Sequence, residues 1–159
     1  MTVEPTLAMR LQFLVRVVRK ECQHLSTTDQ RLFASAFTSE QTAQLETDPE
    51  LAERVEAFVS RFGRLQDTVG DKLLPTLLAA LGDKPSAAMD NLDRAERLGF
   101  IQSADEWMTM RKLRNQMVHE YVEDPTILTS ALQTAHAYVP TLIAAAKQMT
   151  AEIDRRVWA

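Results

Sequence analysis

The stretch PELAERVEAFVSRFGRLQDTVGDKL, residues 49–73, decides the fold. Leu51, Val55, Phe58, Phe62, Leu65, Val69 and Leu73 recur at spacings of three and four, which draws one apolar stripe along a long helix. Thr47-Asp48-Pro49 supplies the start signal, and Pro49 suits the first turn, where a missing N–H is not needed. Pro75 lies inside the pattern; it predicts a kink, with the carbonyl of Asp71 left without its intrahelical partner. Gly82-Asp83-Lys84-Pro85 ends the helix. Gly63 and Gly70 each weaken it by about 1 kcal/mol relative to Ala, so their presence points to a second helix packed closely against it.

The same period extends in both directions. Leu7, Leu11, Leu14, Val18, Cys22 and Leu25 predict an amphipathic first helix. Ser26-Thr27-Thr28-Asp29 reads as its interruption, with Leu32, Phe33 and Phe37 continuing in a shorter helix, and Thr38-Ser39 reads as a further cap or turn. Beyond the long helix, Met89, Leu92, Ala95 and Leu98 predict a short helix closed by Gly99. Ser103-Ala104-Asp105-Glu106 is a capping box that opens the next helix. Asp124-Pro125 stops that helix and starts the last, whose stripe is Ile127, Ala131, Ala135, Tyr138, Leu142, Ala145, Met149 and Ile153, with a kink expected at Pro140. No segment alternates as a strand would. Long helices with short connections give an all-α, antiparallel helix bundle, read as one domain over residues 1–159.

Composition agrees. The 159 residues are 45% hydrophobic and 25% charged, ordinary values for a soluble globular protein. Cys22 is the one cysteine, which excludes an internal disulfide, suits a reducing compartment and reads as a small buried side chain. No apolar run approaches the roughly 18 residues that a membrane span needs, and the first residues do not form a secretory leader. The expected location is cytoplasmic, with no membrane partner. The net charge of -4 is not that of a general nucleic-acid binder. Charge is uneven, however: Arg10, Arg16, Arg19, Lys20 and Arg31 make residues 10–31 basic, and Glu40, Glu46, Asp48, Glu50, Glu53 and Glu56 make residues 40–56 acidic. Two solvated helix faces of opposite sign would look the same.

The helix after Ser103 carries the chemistry. With Trp107 at zero on an ideal wheel, Met110, Leu113, Met117 and Tyr121 fall at about 240–320 degrees and Val118 at about 20 degrees, forming its core stripe. Arg114, at about 340 degrees, lies inside that stripe, where a charge is costly unless a partner or an anionic ligand receives it. His119 lies about 140 degrees from Arg114, four residues after Asn115, which it can touch. Taken singly, an arginine on a stripe is usually a salt-bridged residue, and a histidine near a helix end usually favours the dipole. Their joint occurrence within a turn and a half is what marks a site. Two arrangements bring Arg114 and His119 together: distortion of the helix near its end, or a second copy supplying the complementary group across a two-fold axis.

Arg114, His119 and Tyr121, in the order R-X4-H-X-Y, resemble the motif of HepT proteins, a branch of the HEPN superfamily, and Asn115 matches the polar residue common after its arginine. The resemblance runs back through Trp107 to Leu113 and, more loosely, to the whole helical chain. It implies an up-and-down four-helix core with extra short helices. It also implies a homodimeric, metal-independent endoribonuclease toxin with Arg114 and His119 catalytic and no cofactor. The implied partner is an MNT-family nucleotidyltransferase antitoxin that transfers AMP from ATP to Tyr121. A non-catalytic helical subunit that binds substrate or serves as adaptor for a nucleotidyltransferase is the alternative.

The chemistry is sound on its own terms. RNA cleavage needs a base that titrates near neutrality to take the 2'-hydroxyl proton, and a fixed guanidinium to meet the charge gathering on phosphate. Arg111, Lys112, Arg64 and Asp67, with Asn115, are candidates to bind RNA or to support the site. Arg64 could pair with Asp67, or Asp67 or Asp71 with Arg114; Arg61 stands on the same polar side. Asp67 and Asp71, four apart, permit joint metal binding, but no His or Glu at matching spacing joins them, so no metal is expected. His24 and His136 have no partner legible in the sequence.

Overall fold

A computed structural model describes residues 3–119 and 123–156, and among them the chain is all-α. The helices are α1 (Pro5–Leu32), α2 (Ser39–Ala43), α3 (Pro49–Asp67), α4 (Leu74–Ala80), α5 (Ala88–Leu98), α6 (Ala104–His119) and α7 (Pro125–Arg155). A π turn over Thr68–Leu73 joins α3 to α4 into one long rod.

Pairs across the helices fix their directions. Glu21 and Thr28 of α1 meet Thr68 of the π turn and Arg61 of α3 respectively, so numbers rise on one rod and fall on the other. The same reversal relates α1 to α7 through Arg19–Asp154 and Asp29–His136. It relates the α3 rod to α6 through Asp67–Arg114 and Asp71–Arg111. An up-and-down core of α1, the α3–α4 rod, α6 and α7 results, with α2 and α5 as short additions packed on α7 and α6.

The predicted stripe of the rod is the centre of the core: Leu51, Val55, Phe58, Phe62, Leu65, Val69 and Leu73 are all buried. Burying side chains of this size contributes about 1.5–3 kcal/mol each, against the entropy of ordering them. Caps sit where the sequence puts them. Asp48 Oδ1 accepts from Leu51 N–H at 3.1 Å, and Thr38 and Gln41 form a reciprocal capping box. Gly99 closes α5 with φ +80, in the left-handed region that glycine favours.

Three expectations are corrected. α1 does not break at Ser26–Asp29 but continues to Leu32. Its polar residues stay helical because the bundle gives them partners: the Thr28 hydroxyl accepts from Arg61, and Asp29 Oδ1 lies 2.7 Å from His136 Nδ1. Phe33 and Phe37 therefore fall in the connection after the helix, where Phe37 is buried. Pro75 does not simply kink the rod. The backbone widens just before it, and Leu74 N–H donates to Val69 O, one residue further back than in an α-helix. Ile127, Met89, Leu98 and Val118, all placed on apolar stripes, are exposed; Leu128 takes the buried place on α7. Pro140 lies within α7, which runs unbroken through it.

Candidate functional site

α6 is anchored at its start by two acceptors. Ser103 Oγ accepts from Glu106 N–H at 3.1 Å, and Glu96 of α5 accepts from Ala104 N–H at 2.8 Å. From there Trp107, Met110, Leu113 and Met117 face the core as expected.

The contact between α6 and the rod is close because the two glycines permit it. A Cβ on Gly70 would stand 3.1 Å from the indole nitrogen of Trp107, and one on Gly63 would stand 3.0 Å from Nε of Arg114. Between these contacts, Gln66, buried in the core, donates to the Trp107 carbonyl at 3.3 Å. The two arginines of α6 reach across to the rod. Arg111 holds both carboxylate oxygens of Asp71 at 2.9 Å, and Arg114 forks onto Asp67 at 3.1 and 3.3 Å. The pairings left open by the sequence are thus decided. Asp67 and Asp71 each take a different arginine, and Arg61 turns away to α1, where it donates to His24 O at 3.3 Å. Among the described residues, no three His, Cys, Asp or Glu side chains gather as a metal site.

Arg114 is neither buried nor free. Its side chain and that of Asp67 are 36% and 37% exposed, on the wall of a groove of about 600 Å3 between α3, the π turn and α6. The fork to Asp67 engages two of the guanidinium's five N–H groups, and among the described residues Asp67 is its one ion-pair partner. Val59 and the exposed Val118 are the apolar surface of the groove, with Met117 fully buried next to them, and Arg64 and Lys72 line it with Arg114. Behind it lies Glu21 of α1, whose carboxyl burial pushes up. The Thr68 hydroxyl, donating at 3.2 Å, and the nearby Arg64 and Lys72 oppose that shift.

His119 ends α6 as an exposed side chain and is not on the groove wall that Arg114 occupies. Asn115 and Lys112 are exposed beside it, with no hydrogen bond between Asn115 and His119. Arg64 is exposed and donates to Ser60 Oγ at 3.4 Å. One chain therefore joins Arg111, Arg114, Asp67 and Asp71, but not Arg114 with His119. Tyr121 lies outside the described residues.

Sequence reasoning did not single out Ser60, Thr68 or Lys72. Their signal was the four-residue spacing from Glu56 through Ser60, Arg64 and Thr68 to Lys72, overlooked beside the apolar stripe. His136, with no partner legible in sequence, stacks on Phe33 at 4.1 Å besides meeting Asp29, and belongs to the α1–α7 contact.

Nothing matches. Compared with protein-family models, curated proteins and solved structures, the chain finds no counterpart in any of the three. Among the described residues no helix is long and apolar enough to cross a membrane.

Proposed function

We propose that this protein is a metal-independent endoribonuclease of the HEPN type, the toxin of a pair whose antitoxin is an MNT-family nucleotidyltransferase. One observation carries the reading. Arg114 lies on the apolar stripe of α6, yet its guanidinium emerges on a groove wall, positioned by Gly63 and Asp67. Such an arginine suits a phosphate that gathers charge during cleavage.

In this reading His119 takes the proton of the ribose 2'-hydroxyl. The 2'-oxygen attacks the adjacent phosphorus and the 5'-oxygen leaves, taking a proton. Arg114 stabilises the phosphorane-like charge. Because Arg114 and His119 lie on different sides of one α6, the working site combines the groove of one copy with His119 of a second across a two-fold axis. Val118, exposed at 53% beside the groove, gives that contact an apolar centre. AMP placed on Tyr121, two residues from His119, would add charge and bulk that exclude RNA.

The alternative is a non-catalytic subunit that presents this surface to a nucleotidyltransferase. The Asp67 fork on Arg114 favours it, since the guanidinium is already partly engaged. Cleavage of a labelled RNA in the presence of a chelator, by wild type and by His119→Ala, decides between them. A general base contributes about 10²–10⁴-fold, so the variant is expected to lose at least about a hundredfold while keeping its helical signal. Undiminished cleavage by His119→Ala overturns the catalytic reading.

A further inference from the structure

We propose that Glu56 is a positioning residue: its carboxylate accepts a hydrogen bond from His119 of a second copy and turns that imidazole toward the substrate's 2'-hydroxyl. This rests on the ribonuclease reading and deepens it by naming what holds the incoming histidine.

Arg64, Lys72 and Arg114 line the groove together with two carboxylates, Glu56 and Asp67. Asp67 is held by Arg114, whereas Glu56 is exposed and in a salt bridge with no described residue. A carboxylate left so repels an RNA phosphate, and it suits the groove only where a proton donor or a cation comes to meet it. Both carboxylates lie on α3, which is a regular helix from Pro49 to Asp67. At about 1.5 Å per residue they stand roughly 16 Å apart, too far for Arg114 to reach both and wide enough for an imidazole and a phosphate in line.

The chain's own His119 does not fill that gap. The Asp67–Arg114 pair sets the register of α6 against α3, and the two helices are antiparallel. His119 therefore ends α6 level with Phe62, roughly 9 Å short of Glu56 along the axis, and about 140 degrees around the helix from Arg114. A second copy brings its own. Val118 lines the same groove as Glu56 and is 53% exposed. In a two-fold contact with Val118 at its centre, His119, the next residue, is carried up to the groove of the other copy.

There one imidazole nitrogen donates its N–H to Glu56, and the other presents its lone pair to the 2'-hydroxyl. It takes the hydroxyl proton as the 2'-oxygen bonds to phosphorus and the 5'-oxygen leaves. The imidazolium that forms faces a carboxylate, which stabilises it, as an aspartate does for the histidine of a Ser-His-Asp triad.

The test has two arms. In the first, chains carrying Glu56→Cys and tagged chains carrying His119→Cys are co-expressed and treated with a short bismaleimide; the parent chain, whose Cys22 is buried, is the control. A cross-linked pair of unlike chains is expected. No such pair, or one that survives when both chains also carry Val118→Glu, overturns the pairing. The second arm is cleavage. Glu56→Gln is expected to lose about tenfold or more in kcat with KM not raised, because Glu56 orients the base without touching RNA. Co-expressed His119→Ala and Glu56→Gln chains are expected to recover activity that neither has alone, since the mixed dimer holds one site with both groups intact on opposite chains. No recovery overturns action across the contact. A wild type that does not cleave overturns the ribonuclease reading instead, and the cross-link still decides whether the two side chains meet.

Discussion

Arg114 is an ionised side chain on an apolar stripe, and its partner Asp67 is as exposed as it is. Pairs this exposed contribute about 0–1 kcal/mol, so the fork does little for folding and its value lies in placing the guanidinium. Cys22 is the contrasting residue, buried and uninvolved in the site. Burial pushes its thiol from 9.0 up to about 11. The unfolded thiol ionises first, so the stability that this neutral group secures is fully present below pH 9 and lost as pH rises toward 11. The loss is expected to reach roughly 2 kcal/mol, discounting for solvent. Urea denaturation at pH 8 and pH 10.5 checks it: wild type should lose more than Cys22→Ala over that interval, and equal losses refute the assignment. Cys22 as a buried residue was legible in the sequence because its position on a stripe determines burial. The partner of Arg114 was not, because Asp67 and Asp71 share a face and the choice between them depends on how α6 is registered. Nor was His136, whose carboxylate lies 107 residues away on another helix.

At the level of elements, the rod and α6 meet through two glycines whose neighbours differ in kind. At Gly70 an added methyl meets the ring of buried Trp107 at 3.1 and 3.2 Å, and a rigid indole in a packed core cannot yield cheaply. Gly70→Ala is expected to destabilise by about 1–3 kcal/mol. At Gly63 the methyl meets the arginine side chain, which can swing toward solvent, and helix propensity returns about 1 kcal/mol. Gly63→Ala should therefore leave the melting temperature nearly unchanged while displacing Arg114 and lowering cleavage. Thermal melts and a cleavage assay on both variants separate the two; equal destabilisation would show that the Arg114 side chain cannot yield. That these glycines mark a close helix contact was readable from their cost. The π turn was not. Pro75 signals that a hydrogen bond is lost, but whether the backbone bends or widens is set by what packs around it, including the Thr76 hydroxyl that donates to the Lys72 carbonyl at 2.7 Å.

For the whole molecule, the up-and-down bundle followed from long periodic segments joined by short connections. The exposure of Val118 did not, because a wheel assigns a face without showing how far the neighbouring helices extend. In the proposed assembly that side chain is covered by a second copy. Val118→Glu should stay folded, since the residue is exposed in one chain, and should sediment as a monomer with little cleavage. A variant that keeps the mass and activity of wild type would remove Val118 from the contact. The paired glycines have a consequence for how the bundle finds its alignment. Gly63 and Gly70 are seven residues apart, as are Arg114 and Trp107 opposite them, so two equal notches face two unequal teeth. Slipping α6 by one such interval would set the indole of Trp107 against Gly63. Asp67 would then stand opposite Trp107, and Asp71 opposite Ala104, with no arginine for either. The notches do not by themselves name the alignment; both ion pairs, Asp67–Arg114 and Asp71–Arg111, belong to one alignment alone, and only there is the guanidinium held on the groove wall.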